Sequence, residues 1–104
     1  MSEEIRLSLE KLLPGVATHI DGGAHGICLV RLGDEIYALA DRCSHQSWPL
    51  SDGEVEEAER TIECTKHGST FSLKDGRPTC LPATAAVAAY PVRVRDGEVV
   101  VSVP

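Results

Sequence analysis

Residues 42–69 read RCSHQSWPLSDGEVEEAERTIECTKHGS, and the rest of the chain is best read outward from them. The stretch opens on Cys43-Ser-His45, a Cys-x-His pair, and closes on Cys64-Thr-Lys-His67, a Cys-x-x-His pair, with eighteen residues between His45 and Cys64. Each pair falls where an alternating strand pattern breaks, so each is expected in a loop. Gly68 follows the second pair and gives backbone room in a crowded turn. Two such loops at neighbouring hairpin tips would face each other with two thiolates and two imidazoles. One Zn²⁺ with Cys₂His₂ ligation is an alternative, but zinc favours Cys paired with Cys and His paired with His. Here each pair mixes one Cys with one His. That suits a two-iron site, in which each loop gives its thiolate to one iron and its imidazole to the other.

Outward from this stretch the pattern is all-β. Residues 26–32 and 35–40 flank Gly33–Asp34, and residues 90–95 and 98–103 flank Asp96–Gly97; both read as hairpins closed by dipeptides that tolerate positive φ. Residues 5–9 alternate apolar and polar side chains as a half-buried strand does, and residues 16–20 form another candidate between Pro14–Gly15 and Asp21–Gly22. Short strands are expected at 61–64 and 70–73. Residues 54–60 are the main candidate for a helix; residues 85–89, bracketed by Pro82 and Pro91, are expected as loop or edge strand. The expected fold is an antiparallel β-sandwich or barrel-like base with a small cluster-binding subdomain at about residues 42–82, within a single domain spanning 1–104.

Charge and composition narrow the function. A net charge of −6 with no basic stripe argues against nucleic acid and anionic membranes as partners. No apolar run approaches the length of a membrane span, and the first residues, MSEEIRLSLEKLL, lack the basic start and apolar core of a secretory signal. A cytoplasmic location is therefore expected, where four cysteines point to metal rather than disulfides.

Cys43-Ser-His45 with Cys64-Thr-Lys-His67-Gly68-Ser69 resembles the Rieske signature, and the resemblance runs on through Asp52–Gly53, Gly76-Arg-Pro78, Leu81–Pro82 and the closing Tyr90–Pro91 hairpin. It is strongest to the ferredoxin component of bacterial ring-hydroxylating dioxygenases. The resemblance implies one [2Fe–2S] cluster of Rieske type held by Cys43, His45, Cys64 and His67. It implies single-electron transfer, without catalysis, from a flavin-dependent ferredoxin reductase to an oxygenase component. An accessory ferredoxin of Fe–S metabolism or redox sensing is the alternative. Respiratory-type relatives carry a disulfide at positions that fall on Trp48 and Lys66, so that bridge is not expected. The resemblance also places Ser69 and Phe71 next to cluster sulfur, where relatives have Ser and Tyr. Phe71 has no hydroxyl, and one hydrogen bond fewer to sulfur predicts a potential in the lower half of the Rieske range.

Catalysis is not expected, because a mononuclear iron site needs further ligands and only His19 and His25 are spare. Those two are expected in structural or surface roles. Cys28 is expected to be a buried small hydrophobe, and packing is the favoured role for Cys80. Trp48, Pro49, Leu50, Leu81 and Pro82 form either core or an apolar collar around the cluster. The acidic run Glu54, Glu56, Glu57 and Glu59 reads as a solvated face on which a basic reductase could dock.

Overall fold

The computed structural model describes residues 3–22, 26–42, 49–64, 68–79 and 85–103. Among the described residues there are ten strands and no α-helix: β1 (Glu3–Ser8), β2 (Ala17–Ile20), β3 (Ile27–Leu32), β4 (Glu35–Ala40), β5 (Glu54–Glu56), β6 (Thr61–Glu63), β7 (Thr70–Ser72), β8 (Ala89–Tyr90), β9 (Val92–Arg95) and β10 (Glu98–Val103). Single 3-10 turns lie at Leu9–Lys11 and Leu50–Asp52. The strands form three antiparallel sheets, ordered β1-β10-β9, β2-β3-β4-β8 and β5-β6-β7.

The two hairpins read from the sequence are present. Leu32 pairs with Glu35 across Gly33, whose φ is +62°, and Glu98 pairs with Arg95 across Asp96–Gly97, with φ of +52° and +76°. Two consecutive positive φ values are what a hairpin turn matched to strand twist requires, and Asp-Gly reaches them at little cost.

β3 explains how the sheets stack. Ile27, Cys28, Leu29 and Val30 are all fully buried, so the strand is apolar on both faces rather than alternating. Ile27 and Leu29 pack with Leu12, Ala38, Val99, Val101 and Val103, which builds the base from the first two sheets. Cys28, Val30 and Leu32 face the other way, into a core with Leu39, Leu50, Ile62, Cys64, Phe71, Leu73 and Val87. The middle sheet thus has a second sheet packed on each face.

Two expectations are corrected. Residues 54–60 are not helical: β5 pairs with β6, setting Val55 opposite Ile62, and a turn at 57–60 follows. Glutamates at 54, 56, 57 and 59 would repel one another at helical spacing, whereas an extended β5 packs a half-buried Val55 against the core and leaves the acids outside. The closing segment is also divided at Pro91. Tyr90 belongs to β8 at the edge of the middle sheet, and β9 begins at Val92 in the outer sheet. Proline lacks the N–H that a continuous strand would donate. Residues 85–88 are irregular and lead into β8, an edge strand, as expected.

Candidate metal centre

Cys64 follows directly on β6 and is fully buried. Its N–H donates to the Ser69 carbonyl at 2.7 Å, and its own carbonyl accepts from the Gly68 N–H at 2.9 Å. These two bonds bring Gly68 and Ser69 back against Cys64, and Gly68, at φ +73°, takes a left-handed conformation that suits glycine. Ser69 is fully buried as well, and Cys64 itself packs in the apolar core. Phe71, two residues on, is fully buried opposite Ile62. Cys43, His45 and His67, with Trp48, Cys80 and Pro82, lie outside the described residues.

The roots of three segments are fixed to one another: those of 43–48, which carries the first pair, of 65–67, which carries His67, and of 80–84. The first and third are joined where Ala40 N–H donates to the Ala88 carbonyl at 2.8 Å. The third and second are joined where Thr79 N–H donates to the Thr70 carbonyl at 2.7 Å, with the two threonine hydroxyls also hydrogen-bonded to each other. The second and first are joined by the Glu54–Glu63 register of β5 and β6. There the chains run so close that a Cβ on Gly53 would lie 1.8 Å from the Glu63 carbonyl oxygen. Sheet pairing and these backbone bonds therefore bring the described roots of the three segments together.

Among the described residues the other sulfur and imidazole groups are Cys28 and His19, and His25 lies outside them. Cys28 is a free, fully buried thiol on β3; desolvation, and then the nearby Asp41 charge, push its pKa far up, so it stays protonated and packs as an apolar group. His19 has the structural role expected of it, with Nδ1 hydrogen-bonded to the Asp41 carboxylate and Nε2 3.4 Å from Asp21. Its pKa is raised chiefly by the Asp41 hydrogen bond. Asp41 itself was not anticipated as a site residue. Its side chain is completely buried and bonds to Ser51 as well as His19, two residues before Cys43 in the chain. Both partners are distant in sequence, and no local pattern marks a buried aspartate.

A β-domain of three stacked antiparallel sheets, with a buried cysteine directly after β6 in the second Cys/His pair, suits a metal-binding class of protein. Comparison with known proteins specifies it. The Rieske [2Fe-2S] domain family matches residues 6–91, and the chain belongs to that family. The ferredoxin subunit of 3-phenylpropionate/cinnamic acid dioxygenase from Escherichia coli K12 is 42% identical over 78 residues, 75% of this chain and 73% of that protein. The ferredoxin of carbazole 1,9a-dioxygenase from Nocardioides aromaticivorans IC177 superposes with a TM-score of 0.91 at 36% identity, covering 94% of this chain and 95% of its own. A ferredoxin solved in complex with the reduced oxygenase of carbazole 1,9a-dioxygenase gives a TM-score of 0.87 at 31% identity, over 94% and 91% of the two chains.

The cofactor is accordingly one Rieske-type [2Fe–2S] cluster. The donor chemistry suits it. Two ferric ions, two sulfides and two thiolates sum to a neutral oxidised core, which accepts an electron more readily than an all-cysteine cluster. The chain is a ferredoxin, an electron carrier and not an enzyme. Among the described residues no helix is long and apolar enough to cross a membrane.

Proposed function

We propose that Cys43 and Cys64 hold one iron of the cluster and His45 and His67 the other, with Ser69, Phe71, Trp48 and Pro82 around them. The chain would then pass single electrons from a flavin-dependent reductase to an oxygenase component, in the cytoplasm. What carries this reading is the gathering of the three loop roots by the Ala40–Ala88, Thr70–Thr79 and Glu54–Glu63 contacts, with Cys64 buried at the foot of one. When bound, the cluster takes up and releases one electron at modest potential. The protein supplies the fixed loops and the buried surroundings. Ser69 supports a second part of the reading: a buried hydroxyl next to a ligand cysteine is well placed in the chain to stabilise the reduced, more negative cluster. The single-domain reading, residues 1–104 with a cluster-binding part at about 42–82, fits β5–β7 packing against β3 through one continuous core. The relatives' dioxygenase names support the oxygenase as acceptor, and the exposed glutamates after β5 suit a basic donor.

The test is spectroscopic. Purified protein should absorb in the visible when oxidised and give a Rieske EPR signal once reduced. Cys64→Ser and His67→Ala should each abolish both. The midpoint potential should fall in the lower half of the range of roughly −150 to +300 mV, and Phe71→Tyr should raise it. A colourless protein containing zinc would overturn the ligand assignment. A strongly positive midpoint would overturn the role given to Phe71.

A further inference from the structure

Four separate segments meet at Asp41, whose carboxylate is buried. Asp41 follows β4, and its side chain is 0% exposed. Oδ1 accepts the Ser51 backbone N–H at 2.7 Å, and Oδ2 accepts the Ser51 hydroxyl at 2.6 Å. Oδ2 also meets Nδ1 of His19 on β2. The Asp41 backbone N–H donates to the Gly26 carbonyl at 3.1 Å, just ahead of β3. Gly26 is needed there, because a Cβ would fall 2.3 Å from Cε1 of the His19 ring. Ser51 sits in the 3-10 turn Leu50–Asp52, which the fully buried Leu50 anchors in the core.

A carboxylate without solvent is costly unless hydrogen bonds replace its hydration, and here three donors do so. The arrangement leaves Asp41 little freedom, and it leaves Ser51 little. These two residues stand on either side of residues 42–50, the loop carrying Cys43 and His45.

We infer that Asp41 is a positioning residue for the iron–sulfur centre: by bonding Ser51 across the neck of the first ligand loop, with His19 as a brace, it holds Cys43 and His45 in register with the second pair. This rests on the ligand assignment above. Outer groups that orient ligands govern metal retention almost as strongly as the ligands do. A carboxylate serving only solubility would face water. One serving only the core would have no reason to take both the N–H and the hydroxyl of the residue that closes the ligand loop.

The experiment uses the cluster-loaded protein. Bleaching of visible absorption is followed under an iron chelator, well below the unfolding temperature, for the parent, Asp41→Ala, Asp41→Asn, Ser51→Ala and His19→Gln. Val101→Ala, in the opposite core, serves as a control for lost global stability. Asp41→Ala should lose its cluster about 10- to 100-fold faster than the parent. Ser51→Ala and His19→Gln should lose it faster by smaller factors. Asp41→Asn, which keeps an acceptor for the Ser51 N–H, should recover part of the loss. The reduced EPR spectrum of the Asp41 variants should broaden as ligand geometry loosens. Loss rates in Ser51→Ala and Asp41→Ala no faster than in Val101→Ala of equal thermal midpoint would overturn the inference. If Asp41→Ala does not fold, Ser51→Ala and His19→Gln decide by the same comparison. A parent with no [2Fe–2S] spectrum would refute the ligand assignment instead, and the two failures are thereby distinguished.

Discussion

On one face of β3, Ile27 and Leu29 meet Leu12, Val99, Val101 and Val103, an apolar cluster. Among the described residues the buried polar side chains are Asp41, Thr61 and Ser69, all on β6, beside Cys64 or at the root of the first ligand loop. Strand length differs in the same sense. β1 and β10 pair over six residues, whereas β5, β6 and β7 have three each. The base is therefore held by apolar burial and a long ladder. The loop-bearing side combines a comparable apolar core with polar groups that stabilise only while their partners stay in place. A structure split in this way can keep a rigid scaffold while a metal centre sets the order of the other side.

Removing the cluster should have the largest effect and should expose this division. In chelator-stripped protein, amide hydrogen exchange is expected to show lost protection at Ile62 and Phe71, with Leu29, Val99 and Val101 still slow to exchange. Uniform loss of protection across both faces of β3 would show instead that the two sides fold as a single unit, with the cluster acting on all of it.

Core truncations rank next. Phe71→Ala should cost about 3–5 kcal/mol and Leu29→Ala about 2–5 kcal/mol in denaturant unfolding. The sharper comparison is what each does to the cluster at temperatures where both variants stay folded. Phe71→Ala should release iron early, whereas Leu29→Ala, whose side chain packs on the base, should lose iron only on unfolding. Gly53→Ala is expected to come third. A methyl 1.8 Å from the Glu63 carbonyl oxygen forces β5 and β6 apart, at about 1–3 kcal/mol, because the obstacle is backbone and cannot swing aside. Chemical denaturation, with iron retention alongside, measures it.

How much of this was legible in the sequence depended on the range of the interactions involved. Gly33–Asp34 and Asp96–Gly97 announced their hairpins because the chemistry of a tight turn is confined to two residues. The four proposed ligand positions rest on a similarly local signal, since each mixed Cys/His pair spans three or four residues. β5 was not legible: three residues carry too little periodicity, and the pairing of Val55 with Ile62 that makes it a strand lies across a turn. The division at Pro91 was missed because the residues on either side look alike as strand formers, and only the sheets they join tell them apart. Asp41 was missed because an aspartate before a loop ordinarily faces water. Its burial is decided by Ser51, ten residues on, and by His19 on β2.

The smallest expected effect concerns that brace and falls on the polar side alone. The His19 pKa is raised, first by its hydrogen bond to Asp41, against a smaller opposing effect of desolvation. A group whose pKa is higher in the folded protein binds its proton more tightly there, so it adds stability below its ordinary value, about 6.5, and loses that contribution as pH rises through the folded value. The thermal midpoint of the parent should therefore drift down as pH rises from about 6 through neutrality. His19→Gln, which cannot titrate, should remove that part of the slope. The effect is modest because the His19 side chain is 48% exposed and solvent screens the pair. The slope difference between parent and variant isolates His19 from the other histidines, which are common to both proteins. An unchanged slope would mean that His19 donates to Asp41 equally well as the neutral ring, and a steeper fall in the variant would mean that folding lowers the His19 pKa instead of raising it.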